Sequence, residues 1–185
     1  TNTISEGEVL QLINCRDPYT SEDSYMGVMD HKTSKLFESA AETGAVLGDT
    51  EGRDQAEAFA TFGRHLGIAF QLVDDVLDYQ GDVEELGKNV GDDLAEGKPT
   101  LPLIHTIRNG SPEQAKLIKD AIRTGGLDRL QDIIHIVRDS GGLSHTVAVA
   151  EQQTRLALAA LETVPESRYK EALQTLALES LKRTH

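Results

Sequence analysis

Residues 71–78 read Gln-Leu-Val-Asp-Asp-Val-Leu-Asp, which puts three carboxylic acids and an amide within two turns of a helix. At about 100° per residue, with Asp74 as the origin, Asp78 falls at about 40°, Gln71 at about 60° and Asp75 at about 100°. The apolar Phe70, Val73, Val76 and Leu77 occupy the opposite arc, roughly 200° to 320°. The pattern predicts a helix that buries one face and carries the carboxylates on the other. Like charges this close repel, by about a few tenths of a kcal/mol per pair. They also precede Gly81, at the helix end where the macrodipole disfavours anions. A face meant only for solubility would carry its acids at the other end. Clustered hard oxygens in this place suit Mg²⁺. A plain solvated helix face is the competing explanation.

Lys32 is the second group with chemical potential. On a helix through residues 22–47, Tyr25, Val28, Met29, Leu36, Ala40, Val46 and Leu47 all lie within about 60° to 80° of it. Asp30, His31, Lys35, Glu38 and Glu42 lie on the other side. An ammonium in an apolar arc is costly unless paired. Either it snorkels past the helix edge, or it points into an internal cavity to meet an anion, with Thr33 adding a hydroxyl.

The third group is the segment Gly87-Lys88-Asn89-Val90-Gly91-Asp92-Asp93-Leu94-Ala95-Glu96-Gly97-Lys98. Such a loop has lysines to cover a phosphate and acids to touch a metal; an ordinary solvated loop has the same composition. It is not a P-loop, because the spacing is wrong, Pro99 follows Lys98 and no strand precedes it. There is no zinc-type Cys/His cluster and no Gly-x-Ser-x-Gly elbow. The six histidines are scattered and read as surface or core residues.

Helical periodicity positions these groups throughout, and strand signals are weak. Residues 4–14 read as the end of a helix, and Thr20 with Asp23 resembles a capping box for a long helix over 22–47. Gly48, Asp49, Thr50 and Gly52 break it. The acid-bearing helix spans Arg53 to Tyr79, and Gly81 to Pro99 reads as too irregular for a core element. Pro99 and Pro102 open a short helix to Arg108. Ser111, Pro112 and Gln114 supply a cap, a first-turn proline and a capping-box partner for the next, which ends at Gly125-Gly126. Helices over 127–139, 144–163 and 166–183 complete an all-α chain, read as a single domain over 1–185.

With 31 acids against 18 bases and a net charge of −13, the chain offers no basic surface for nucleic acid or an anionic membrane. No apolar run approaches the roughly 20 residues that span a bilayer. One cysteine, Cys15, permits no internal disulfide and fits a reducing cytoplasm. The chain starts at Thr1 inside a helical pattern, and the expectation is a fragment or processed product of something longer.

Taken together, Lys32-Thr33, Gln71 with Asp74-Asp75-Val76-Leu77-Asp78, Gly87-Lys88, Gly91-Asp92-Asp93 and Gly97-Lys98 resemble the trans-prenyl diphosphate synthases. The run from Gly87 to Leu103, with Glu6 to Gln11, is similar to the bacterial long-chain, octaprenyl type. The resemblance implies an isoprenoid-synthase-type helical bundle, here the C-terminal half to two-thirds, and a homodimer in the intact protein. It implies condensation of isopentenyl diphosphate with an allylic diphosphate, giving long prenyl chains for quinones. It makes Asp74, Asp75 and Asp78 the second acidic motif, with Asp74 touching Mg²⁺ directly and the others partly through water. Lys32, Lys88 and Lys98 would hold the allylic diphosphate, helped by Thr33 and Gln71, and Asp93 would sit at the metal's outer coordination sphere. Lys32, Asp74, Asp75 and Lys88 would be the catalytic set. Phe37, Ala40, Ala41 and Phe70 would contribute apolar walls.

The family's first acidic motif has no counterpart here; Asp17, Glu22, Asp23 and Asp30 lack the spacing. The chain alone is therefore expected to be inactive. Two other readings stay open: a non-catalytic subunit of a heteromeric prenyl synthase, and an all-α interaction module with surface acids.

Overall fold

The computed structural model describes residues 2–48, 53–80 and 90–182, and every regular element among them is helical. In chain order these are α1 (Asn2–Asn14), α2 (Glu22–Met29), a π-helical turn (Asp30–Ser34), α3 (Lys35–Gly48) and α4 (Arg53–Gln80). Then come α5 (Asp92–Glu96), α6 (Leu101–Asn109), α7 (Pro112–Thr124), a 3₁₀ turn (Leu127–Arg129), α8 (Leu130–Asp139), α9 (Gly142–Ala160) and α10 (Arg168–Lys182). Lys88, Gly87 and the breaks read at Gly81 and over 49–52 lie outside the described residues.

The spine is α4. Its 28 residues extend about 42 Å, and it passes through three apolar clusters. Phe62 and Leu66 pack with Ala157, Leu161, Val164 and Ala177. Ile68, Leu72 and Val73 pack with Tyr25, Val28, Met29, Leu101, Ile104 and Ala150. Tyr79 joins Leu94, Leu103, Ile118, Ile122, Ile133 and Val137. From His65 to Tyr79 no residue of this helix is fully exposed, so its acid-bearing stretch has no open solvent face. The two-faced helix expected from the acid pattern is corrected accordingly: Asp75 is only 2% exposed.

The long helix expected over 22–47 is continuous but not uniform. At Asp30–Ser34 it widens into a π turn, a feature frequent at functional sites. Ser34 Oγ donates to Asp30 O at 2.8 Å and to Asp30 Oδ1 at 3.0 Å. Arg64 of α4 clamps Asp30 from the other side, through Nε at 2.6 Å and Nη2 at 2.9 Å. Burial pushes the Asp30 carboxyl up, but this fork outweighs it and leaves the group below its ordinary range. Glycines let neighbouring helices come close here. A Cβ on Gly7 would lie 2.5 Å from Lys32 N, and one on Gly67 2.7 Å from Ser34 Cα.

Other boundaries differ in detail. The cap of α2 is Ser21, whose side chain accepts from Ser24 N. Thr20 instead donates its hydroxyl to Asp17 O, so the expected Thr20 box is absent. The capping box at Ser111 and Gln114 is present. The segment before Pro99 does contain a core element, because α5 buries Leu94 completely. Thr100, rather than Pro99, caps α6. The helix read from 127 opens as a 3₁₀ turn, and the last two start at Gly142 and Arg168. No helix among the described residues is long and apolar enough to cross a membrane. Apolar side chains of α1 (Val9, Leu12, Ile13) and α3 (Leu36, Val46, Leu47) stand exposed, Leu47 by 82%.

Two glycine substitutions separate packing from propensity. Gly27 has open space around it, so Gly27→Ala gains helix propensity and stabilises by about 0.5–1 kcal/mol. Gly67→Ala gains the same propensity but collides with Ser34, and overpacking of about 1–3 kcal/mol makes the net effect destabilising. Urea unfolding of both variants reads the opposite signs.

Candidate functional site

Where α1, the π turn and α4 converge, a cavity of about 230 Å³ opens. Its lining includes Lys32, Gln71, Asp74, Asp75, Asp93 and Lys98 from the sequence reading, with Gln11, Asn14, Thr20, Tyr25 and Thr100 besides. Thr33 and Asp78 stand behind this wall rather than in it. Phe37 and Phe70 pair with ring centroids 5.6 Å apart, also outside the lining. Ala40 and Ala41 line a separate groove with Gly44, Val164 and Leu173.

Lys32 reaches into the cavity because the π turn is anchored on both sides. Its Nζ donates to Gln11 Oε1 at 2.6 Å and lies 3.3 Å from Glu8 Oε2, both on α1. Next to it, Thr33 Oγ1 donates to Gln71 Oε1 of α4 at 3.2 Å. The ammonium therefore does not snorkel away from the interior.

Gln71 passes the network along α4. Its Nε2 donates to Asp75 Oδ1 at 3.0 Å, one turn later. The hydroxyl of Tyr25, on α2, donates to Asp75 Oδ2 at 2.5 Å. Burial and the nearby charge of Asp93 nevertheless push Asp75 up to about 7, against these two hydrogen bonds. Burial, then the Asp75 charge, raises the Tyr25 phenol well above its usual value.

Asp78 serves the start of α5. Its carbonyl accepts from Gly91 N at 3.0 Å, and its carboxyl accepts from the backbone of Asp92 and Asp93. Helix N-termini leave such N–H groups without partners. Burial and Asp93 still raise Asp78 to about 7, and its Oδ2 is buried with no hydrogen-bond partner. At the far end of α5, Gly97 adopts φ +78°, a left-handed turn that glycine favours. It folds Lys98 back, so Nζ lies 2.8 Å from Asp93 Oδ1 and 2.8 Å from Glu96 Oε2. Burial pulls the Lys98 ammonium down, but these two partners win and hold it well above its ordinary value. Lys98 is a fixed cation.

Among the described residues no three of His, Cys, Asp and Glu converge into a metal cage. The donors present are all hard oxygens, Asp78 carries an orphaned one, and two carboxyls are raised by burial and then by the neighbouring Asp93 charge. That set fits Mg²⁺, which keeps several waters and binds through one or two carboxylates plus substrate phosphates.

The family model for polyprenyl synthetase matches residues 1–138. The chain belongs to the polyprenyl synthetase family. It is 48% identical over 187 residues to octaprenyl diphosphate synthase of Haemophilus influenzae, covering 100% of this chain and 56% of that protein. It is also 48% identical, over 184 residues, to all-trans-nonaprenyl-diphosphate synthase (geranyl-diphosphate specific) of Rhodobacter capsulatus, with coverage of 99% and 56%. The fold matches the crystal structure of polyprenyl synthase from Caulobacter crescentus complexed with calcium and isoprenyl diphosphate. There the TM-score is 0.93 and identity 39%, over 100% of this chain and 56% of that one. The chain thus spans about half the length of these polyprenyl synthases, and the all-α class is shared.

The sequence reading missed Tyr25 as a polar group, placing it only in an apolar arc. A signal existed: it lies seven residues, two turns, before Lys32 on the same face. Gln11 and Glu8 were legible only as part of a similar stretch.

The raised Asp75 carboxyl makes a prediction for the metal-free chain. An unfolded aspartate titrates near about 3.9, so below that pH both states are protonated and stability is undiminished. As pH rises toward about 7 the fold resists ionisation and loses stability; above that it is flat. Asp75→Asn removes this loss. Relative to the unaltered chain, the variant should match it at pH 4 and gain on the order of a few kcal/mol by pH 8, read by urea unfolding across pH.

Proposed function

We propose that this chain carries the second-acidic-motif half of a trans-polyprenyl diphosphate synthase, binding an allylic diphosphate with Mg²⁺. The observation that carries the reading is one cavity, in a chain of this family, where Lys32 and Lys98 face Asp74 and Asp75. The whole enzyme joins isopentenyl diphosphate to the allylic diphosphate repeatedly; an octaprenyl product follows the name of the Haemophilus relative, and quinone side chains are its proposed use. A cytoplasmic homodimer is the matching form of the intact protein.

Asp74 is the proposed direct metal ligand, with Asp75 and Asp78 behind it and Asp93 at the outer coordination sphere. Neutralisation of the diphosphate is what a bound divalent cation supplies. Lys32 and Lys98 bind the diphosphate oxygens, with Lys88 as a proposed third ammonium, Gln71 as a further donor and Thr33 holding Gln71 from behind the wall. In the reaction the allylic carbon–oxygen bond breaks and its electron pair leaves with the diphosphate. The double bond of isopentenyl diphosphate then attacks the cation, and a proton is lost. The charge that develops on the leaving oxygen is what fixed ammonium groups stabilise best. No side-chain nucleophile takes part.

The exposed apolar residues of α1 and α3 give the remaining length of such a synthase a place to pack. Two measurements follow. Calorimetry with Mg²⁺ and a bisphosphonate should show metal-dependent binding that Asp74→Ala weakens by at least about tenfold; equal binding would defeat the site assignment. Labelled isopentenyl diphosphate should not be incorporated by the chain alone, but should be when the rest of a relative's length is supplied in trans. Turnover by the isolated chain would refute the half-site reading.

A further inference from the structure

Asp75 has both carboxylate oxygens engaged by protein donors. Gln71 takes Oδ1 at 3.0 Å and Tyr25 takes Oδ2 at 2.5 Å. The Gln71 amide turns its nitrogen to Asp75, which accepts from it. Its oxygen is then committed to Thr33, whose hydroxyl donates at 3.2 Å. The row Tyr25–Asp75–Gln71–Thr33 therefore donates inward from both ends, with Asp75 as the common acceptor, and it crosses from α2 to α4 to the π turn. Tyr25 closes the row. Its ring is buried among Val28, Met29, Ile68 and Leu72, so its hydroxyl is delivered from a rigid core.

We propose that Tyr25 is a positioning residue of this site: by holding Asp75 it fixes the orientation of the Gln71 amide and the Thr33 hydroxyl beside Lys32. Asp75 accordingly acts as a brace between helices rather than as a metal ligand. This rests on the function proposed above for what the site binds, but not for the positioning itself.

The Gln71 side-chain amide reports the effect without any ligand. In nitrogen-15-labelled chain its two protons should exchange slowly with water. Tyr25→Phe, which keeps the ring, should speed that exchange at least tenfold while the backbone amides of Leu72 and Val73 stay protected. Asp75→Ala should speed it equally, and Tyr25→Phe added to Asp75→Ala should change nothing more. An unchanged Gln71 amide in Tyr25→Phe, additive effects, or loss of protection at Leu72 and Val73 alike would overturn the inference and leave Tyr25 a packing residue. Titration with Mg²⁺ and a bisphosphonate carries the consequence to the ligand, where Tyr25→Phe should bind at least tenfold more weakly. Undiminished binding overturns the link from positioning to the site. An unaltered chain that fails to bind counts against the proposed function, while the amide still decides the positioning.

Discussion

A carboxylate buried near the C-terminal end of the spine helix constrains everything around it. Taking Asp75 out of water costs several kcal/mol unless its oxygens find donors. The donors come from two directions, Tyr25 on α2 and Gln71 on α4 itself. Satisfying the Gln71 oxygen in turn requires Thr33, which sits in the π turn. One buried acid thus ties α4 to α2 and to the π turn that continues it, across a long stretch of chain. The raised proton affinity that remains shows that the compensation is incomplete. A packed apolar residue would be more comfortable in that position, so stability alone does not explain the aspartate.

The π turn depends on contacts that are equally non-local. A π turn spaces its residues more widely than an α-helix and is rarely self-sustaining. Here Arg64 grips Asp30 in a bidentate fork, and Gly67 and Gly7 let α4 and α1 approach the turn to backbone contact. Lys32 and Thr33 consequently reach two different helices from adjacent positions. A regular helix packed on larger residues would move α1 outward and take Gln11 away from the ammonium. Side-chain size at two glycines is thereby connected to the placement of a charge in the cavity.

These dependencies explain what was legible in the sequence. Helix type and most boundaries were, because periodicity and the Ser111 cap are local signals. The grouping of Asp74, Asp75 and Lys32 was visible as an energetic oddity: anions at the wrong helix end and an ammonium among apolar residues. The burial of Asp75 was not. A helical wheel assigns acids to solvent, and nothing local shows that α2 and the π turn cover the acid-bearing face of α4. Nor does the wheel reveal that Tyr25, fifty residues earlier, is the partner. The π turn was hidden because its cause, Arg64, lies on another helix. The short α5 was hidden because its start is organised by Asp78 rather than by its own residues, which are acid-rich and flanked by glycines. Ser21 outcompeted Thr20 as a cap once Thr20 was engaged with Asp17.

The balance of charge in the cavity limits what it can accept. Lys32 and Lys98 face Asp74, Asp75 and Asp93. Each lysine is also already engaged: Lys32 with Gln11 and Glu8, Lys98 with Asp93 and Glu96. A bare diphosphate would meet more negative charge than positive, and would have to displace ion pairs to gain a hydrogen bond. An anion accompanied by divalent cations meets the opposite situation. Under the proposed function its cations would relieve the repulsion that adds to burial in raising Asp75 and Asp78, while its oxygens would complete coordination spheres that the carboxylates cannot fill. Cation and anion would then favour each other's binding, with the coupling working in both directions. The same arithmetic explains the lysine partners. Holding Lys98 against Asp93 and Glu96 keeps it charged and oriented before any ligand arrives, so less ordering remains to be done on binding. A cavity with excess positive charge would capture diphosphates indiscriminately. One that is net acidic selects for the metal-loaded form.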